Sequence, residues 1–89
     1  MAYVRLRRAG LAWSEVGDET VLLDLTSSLY FATKGSGSFV VAFLAEGATE
    51  ESLAERLVAQ YEVDLDTAKA DIADFLKQLD DRNMIEVVS

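Results

Sequence analysis

The periodicity of the chain changes at residues 29–33, Leu-Tyr-Phe-Ala-Thr, and this change limits the folds that the chain can adopt. Before this stretch, apolar and polar residues alternate as they do in β-strands; after it, apolar residues recur with helical spacing. The stretch itself is short and apolar. It follows Ser27-Ser28 and precedes a Gly/Ser-rich run at 35–38. We therefore predict that it forms a strand at the junction between a sheet and a group of helices.

Three strands are predicted before the helices, because turn-forming residues separate three alternating segments. The segments are 11–16, 20–26 and 29–33. Consecutive strands joined by short turns pair antiparallel, so we expect a three-stranded meander. Alternation in the second strand suits one face on a core, the apolar face being Val21, Leu23 and Leu25. Both faces of the third strand are apolar enough to be covered.

Three helices follow, each bounded by residues that favour helix ends. The predicted N-caps are Ser36, Thr49, and either Asp64 or Asp66, and the predicted stops include Gly47 and Asn83. In the third helix, the inward residues are predicted to be Leu65, Ala68, Ile72, Phe75, Leu76 and Leu79. Residues 84–88 form either a short terminal strand or an apolar extension, and residues 1–10 either a frayed strand or an ordered arm. Residues 1–89 are thus one α+β domain: a three-stranded antiparallel sheet, three helices and a short terminal strand, similar to a winged helix-turn-helix.

Composition argues against an enzyme. The 89 residues include no cysteine and no histidine, so the commonest nucleophile–base pairs and transition-metal ligands are missing. We therefore predict no catalytic residues, no metal site and no cofactor. The lack of cysteine fits a reducing cytoplasm, where we expect the protein to act. No apolar run is long enough to cross a bilayer, and no continuous apolar segment follows the basic start as in a signal peptide.

Charge is distributed unevenly along the chain. Residues 1–45 contain four acidic and four basic residues, whereas residues 46–89 contain twelve acidic and four basic ones and carry the entire net charge of −8. A winged-helix DNA-binding regulator is the alternative function, with residues 66–82 as the recognition helix and Arg5, Arg7 and Arg8 as a minor-groove arm. That helix is net negative, which opposes contacts with phosphates, so we expect no nucleic-acid partner.

Several segments together resemble the PqqD-like family of leader-peptide recognition elements. They are V-L-L-D-L-T-S-S-L-Y-F from Val21, a glycine at 37, T-E-E-S-L-A-E-R-L from Thr49, Y-E-V-D from Tyr61, A-D-I-A-D-F-L-K-Q-L from Ala70 and M-I-E-V from Met84. The resemblance covers about residues 20–88. The short, free-standing form is most similar to the leader-binding proteins of lasso-peptide pathways, which belong to the biosynthesis of ribosomally made, modified peptides.

The resemblance implies a non-catalytic adaptor. Members of the family bind the leader of a precursor peptide as an extra antiparallel strand, in a groove between the third strand and the third helix. Carried over to this chain, the strand residues are Leu29, Tyr30, Phe31 and Ala32, and the helix residues are Asp71, Asp74, Phe75 and Gln78. The implied partners are the leader, a separate leader peptidase and an ATP-dependent cyclase, with no membrane partner. The oligomeric state remains open, because an unpaired strand can also pair with its own copy.

Overall fold

The computed structural model describes residues 3–88, which form six strands and three helices. The strands are β1 (Tyr3–Leu6), β2 (Leu11–Val16), β3 (Glu19–Asp24), β4 (Tyr30–Lys34), β5 (Ala48–Thr49) and β6 (Ile85–Val88). The helices are α1 (Ser36–Leu44), α2 (Glu50–Gln60) and α3 (Leu65–Asp81).

The strands form two sheets. The predicted meander is present as a three-stranded antiparallel sheet in the order β2-β3-β4, and β6 is the predicted terminal strand. The α+β class is therefore confirmed. A second sheet, in the order β5-β1-β6, was not predicted. Both sheets and all three helices contribute to one apolar core, whose largest fully buried apolar side chains are Leu6, Leu22, Leu44, Leu53, Ile72, Leu79, Met84 and Val41.

The beginning of the chain, left open between a frayed strand and an ordered arm, contains a paired strand within the described residues. β1 lies between β5 and β6 and pairs antiparallel with both. Its alternate residues Val4 and Leu6 are buried in the core. On the other face, Arg5 Nη2 donates to Glu86 Oε2 at 2.7 Å. The sequence pattern does not reveal this pairing because the partners of β1 lie more than forty residues away.

The face of β3 that is buried is the opposite of the one expected. Thr20, Leu22 and Asp24 face the core, whereas Leu23 is 37 % exposed. Polar partners explain the inversion, because a buried polar group costs little free energy when it is hydrogen-bonded. The Thr20 hydroxyl is hydrogen-bonded to Ser38 of α1, and Asp24 lies beside Arg7. The alternation was predicted correctly, but its phase was not.

The helix ends agree with the sequence at most positions. Thr49 Oγ1 accepts from the N–H of Ser52 at 3.1 Å, and Asp64 Oδ1 accepts from the N–H of Thr67 at 2.7 Å. Asn83 follows α3 with a φ of 56°, in the left-handed region. The expected cap at Ser36 is wrong, because α1 begins one residue earlier.

Gly35 is the N-cap of α1 and has a φ of 62°, a conformation that glycine adopts without steric cost. Its carbonyl accepts from the N–H of Phe39 at 3.0 Å and closes the first turn. At the start of α3, Leu65 is 43 % exposed rather than inward, whereas Ala68, three residues later, is fully buried. The remaining predicted inward residues of α3 are buried, and Phe75 is half-buried.

Candidate functional site

β4 is an edge strand. Within the described residues it pairs only with β3, so its other edge has no strand partner. An unpaired edge presents a row of backbone donors and acceptors that can pair with another extended chain. The side of β4 away from β3 is therefore the first candidate surface.

The register shows which backbone groups face the open edge. At one end of the ladder the N–H of Asp24 donates to the carbonyl of Leu29 at 2.8 Å, and at the other the N–H of Gly35 donates to the carbonyl of Asp18 at 3.0 Å. In antiparallel pairs, hydrogen-bonded and non-hydrogen-bonded positions alternate. Given the continuous register between these ends, Phe31 and Thr33 also bond to β3. The N–H and C=O groups of alternate residues, Tyr30, Ala32 and Lys34, therefore point to the open edge.

The side chains of β4 divide between a helix-facing side and an open side. Phe31 is half-buried, and its ring meets that of Phe75 edge to face with centroids 6.0 Å apart. Tyr30 lies on the other side and is 70 % exposed. Leu29 precedes the strand and is 60 % exposed. The expectation that both faces of this strand are covered is wrong, because the helices cover only one side of the sheet.

A cavity of about 220 Å³ lies between the start of α1, Leu57 of α2 and the middle of α3. It adjoins β4 through two of its lining residues, since Gly37 lies against Thr33 and Phe75 meets Phe31. Its apolar lining comes from Val40, Leu57, Ile72 and Phe75. Its polar lining consists of Ser36, Asp71, Asp74 and Gln78, with Gly37 completing the wall. All four predicted α3 residues therefore lie around one cavity, in agreement with their shared helix face.

Gly37 allows α1 to approach β4 closely. A Cβ at this position would overlap Thr33 Oγ1 and lie 3.2 Å from Cε1 of Phe75. No side chain larger than a hydrogen fits without displacing one of these groups. Gly37 thus brings the end of β4, the first turn of α1 and the aromatic ring of α3 together at the cavity.

The carboxylates at the cavity are not neutralised by neighbouring cations. None of the three ion pairs among residues 3–88 includes Asp71 or Asp74. Asp74 Oδ2 accepts from Gln78 Nε2 at 3.0 Å, which orients both side chains along the helix surface. This part of the cavity wall is therefore suited to a hydrogen-bond donor or a cation.

A buried ion pair connects β3 to the rest of the domain. Arg7 Nη2 lies 3.0 Å from Asp24 Oδ1, and Arg7 also donates to the carbonyls of Ala9, Gly10 and Asn83. The Arg7 guanidinium and the N–H of Thr26 lower the pKa of Asp24 from 3.8 to about 2. Because β3 carries β4, this pair helps to hold the edge strand in place.

Two of the three arginines proposed as a DNA-binding arm form ion pairs within the domain. Arg7 pairs with Asp24. Arg5 pairs with Glu86. The pKa of Glu86 is lowered mainly by the hydrogen bond from the Arg5 side chain and, to a smaller extent, by the hydrogen bond from the N–H of Arg8. A minor-groove arm requires extended, unpaired arginines, so the arm hypothesis is not supported.

Neither a metal site nor a membrane span emerges from the described part of the chain. Residues 3–88 contain no group of three or more acidic side chains placed to hold a metal ion. No helix among them is both long and apolar enough to cross a bilayer.

Sequence reasoning missed several residues at this site. Ser36, Val40 and Leu57 line the cavity but were assigned only to helix ends or to the core. Arg82 places its guanidinium carbon 5.0 Å from the centroid of the Phe31 ring. A sequence signal for Arg82 exists, since it follows Gln78 by four positions and so lies on the same helix face.

Comparison with known proteins agrees with this geometry. The sequence profile of the family described as coenzyme PQQ synthesis protein D (PqqD) matches residues 19–85, more than half of the chain. The chain belongs to the PqqD family. The match runs from β3 through α3 to the first residue of β6, so it includes every element around the open edge and the cavity.

Two solved structures share the fold over nearly the full length of this PqqD-family chain. "TbiB1 in Complex with the TbiA(beta) Leader Peptide" is 30 % identical with a TM-score of 0.86, covering 92 % of this chain and 94 % of that one. "Lasso peptide synthetase B1 complexed with the leader peptide" is 28 % identical with a TM-score of 0.82, covering 93 % and 96 %. A search of curated protein sequences gives no match.

Proposed function

We propose that this protein is a non-catalytic adaptor that binds the leader of a ribosomal precursor peptide by strand addition to β4. The observation that carries the proposal is the open edge of β4 beside a cavity lined by α3. Strand addition requires unpaired backbone groups for affinity and adjoining pockets for selectivity, and this site offers both. The leader peptides present in the two similar solved structures support the same function.

The register supports different proposed roles for the four strand residues that the resemblance implied. Backbone pairing with the leader falls to Tyr30 and Ala32, together with Lys34, since their polar groups point outward. The backbones of Leu29 and Phe31 are engaged with β3. Phe31 contributes its ring to the groove instead, and Leu29 offers its exposed side chain at the end of the strand.

The α3 residues form the opposite wall of the groove. Phe75 supplies an apolar surface for a leader side chain, while Asp71, Asp74 and Gln78 offer oxygen and amide groups at the rim. Alternate side chains of an added strand point to the same face, so every second leader residue enters this groove. The cavity therefore selects the leader, and the edge of β4 holds it.

A bound leader is then available to separate enzymes. We propose that the adaptor presents the precursor to a leader peptidase and then to an ATP-dependent cyclase, as in lasso-peptide biosynthesis. Support comes from the overall similarity to lasso-peptide synthetase B1. A pull-down of each enzyme with the adaptor, with and without the precursor, tests this presentation; no increase in capture with the precursor would contradict it.

Direct titration tests leader binding. The leader of the precursor encoded beside this gene, labelled with a fluorophore, is titrated with the protein and followed by anisotropy. We expect saturable binding with a Kd below tens of micromolar, which corresponds to roughly −6 to −7 kcal/mol or tighter. Absence of binding at that concentration would overturn the proposal. Duplex DNA titrated at low and moderate salt serves as the comparison, and tight, salt-sensitive DNA binding would favour the regulator alternative.

A further inference from the structure

The geometry points to Arg82 as a further leader-contacting residue that selects an acidic leader side chain. It makes one end of the groove positively charged, while the other end is negatively charged. This inference rests on the proposed leader binding and adds the charge pattern of the ligand. Arg82 is the C-cap of α3, and its Nη1 donates to the carbonyl of Gln78 at 2.9 Å. A guanidinium has five N–H donors, so the others remain for a ligand.

Contact with Phe31 holds the Arg82 guanidinium at the groove. The guanidinium carbon lies 5.0 Å from the centroid of the Phe31 ring, within the range of a cation–π interaction. The same ring also meets that of Phe75 edge to face, with centroids 6.0 Å apart. None of the three ion pairs among residues 3–88 includes Arg82, so no neighbouring carboxylate neutralises it.

The two ends of the groove carry opposite charge. Because α3 runs antiparallel to β4, its acidic residues lie near the end of the strand and Arg82 lies near the start. Ser36 and Gly37, which follow the end of β4, share the cavity with Asp71 and Asp74. Phe31, near the start of β4, lies beside Arg82. The anionic end of the groove is therefore close to the end of β4, and the cationic end is close to its start.

An antiparallel leader strand begins near the end of β4 and finishes near its start. Its earlier residues then meet the carboxylates and its later residues meet Arg82. From Asp74 to Arg82 the helix rises about 12 Å, the length of about four strand residues. Side chains four residues apart lie on the same face of a strand. The matching leader pattern is a basic residue, an apolar one two positions later at the Phe31–Phe75 pair, and an acidic one two positions after that.

A series of leader peptides with a pair of charged residues at successive positions tests this pattern. The starting peptide is the leader that binds in the titration above. A forward pair, Lys at position i and Glu at i+4, is moved along the leader one residue at a time, and the reversed Glu–Lys pair is placed at the same positions. At one register we expect the forward peptide to bind about tenfold more tightly than the reversed one, as expected for two partly exposed charge pairs. Equal affinity within twofold at every register would overturn the inference, and so would a preference for the reversed pair.

Variants of the protein separate charge selection from structural support. Arg82→Gln is expected to reduce the forward-to-reversed ratio to about threefold, and Arg82→Glu to bring it close to one. Lys77→Gln removes a cation from an exposed pair on the same helix and should leave the ratio unchanged. If Arg82 only supports Phe31, Arg82→Gln will weaken all peptides equally and keep the ratio, which overturns the inference. If the unmodified leader does not bind, the proposed function itself fails.

Discussion

Two neighbouring proline substitutions in β4 should separate leader binding from folding. The N–H of Ala32 points to the open edge, whereas the register directs the N–H of Thr33 to the carbonyl of Thr20. Proline removes the N–H, and it is tolerated in a strand only where that N–H is not part of the ladder. Ala32→Pro is therefore expected to act on the leader, and Thr33→Pro on the fold.

The magnitudes follow from what each N–H does. Ala32→Pro should change the free energy of unfolding by less than about 1 kcal/mol, because the lost donor faces solvent in the unbound protein. It removes one hydrogen bond to the leader and leaves a leader carbonyl without a partner, which costs about 1–3 kcal/mol or about 5- to 150-fold in Kd. Thr33→Pro leaves the carbonyl of the buried Thr20 without a hydrogen-bond donor and should lower the free energy of unfolding by about 1–3 kcal/mol.

Urea unfolding followed by circular dichroism measures stability, and leader anisotropy measures affinity per folded molecule. Thr33→Ala is the control for the lost side chain, since the hydroxyl of Thr33 lies beneath Gly37. Wild-type affinity in Ala32→Pro would show that the leader does not pair with this edge. If Thr33→Pro were folded and stable but no longer bound the leader, the N–H of Thr33 would face the open edge and that of Ala32 would face β3, the reverse of the assignment above.

Three further perturbations concern the groove and its supports. Asp74→Lys should weaken leader binding about tenfold and Gln78→Ala about two- to fivefold with little change in stability; unchanged affinity in both would place the groove wall elsewhere. Gly37→Ala should destabilise the fold by about 1–3 kcal/mol in thermal unfolding, because its Cβ overlaps the strand below; a gain in stability would contradict the close approach. The pKa of Asp24 is lowered from 3.8 to about 2, so this carboxylate stabilises the fold above pH 3.8 and the contribution is lost as the pH falls towards 2. Arg7→Met should lower stability at neutral pH and flatten this acid limb in urea titrations; an unchanged limb would show that the ion pair does not cause the shift.

Local features of the fold could be predicted because their causes are local. The caps at Thr49 and Asp64 satisfy N–H groups only three residues away, and the left-handed turn at Asn83 depends on that residue alone. The grouping of residues 71, 75 and 78 at one cavity could be predicted for a similar reason, since they share a helix face whatever the helix packs against. Features that depend on distant partners could not be predicted in the same way: the start of the chain was left open between a frayed strand and an ordered arm, and the pairing of β1 with β5 and β6 was not predicted.

The inverted face of β3 is another feature that depends on distant partners. It also decides which side chains of the neighbouring strand β4 are exposed. Hydropathy predicts that the face of a strand carrying Thr20 and Asp24 is exposed to solvent. In this structure both residues are buried, and each has a partly buried polar partner, Ser38 of α1 for Thr20 and Arg7 of the β1–β2 connection for Asp24. Their partners attach the polar face of β3 to the domain, so its apolar face, with Val21 and Leu23, is directed away from the helices. Side chains of paired residues lie on the same face, so Tyr30, opposite Leu23, must also be exposed, and Phe31, opposite Leu22, must turn towards α3. The polar contacts of β3 thus determine which side of β4 faces α3 and the proposed groove. Thr20→Val removes the hydrogen bond to Ser38 and should therefore weaken the attachment of β3 to α1, although Thr20 is not itself among the proposed groove residues.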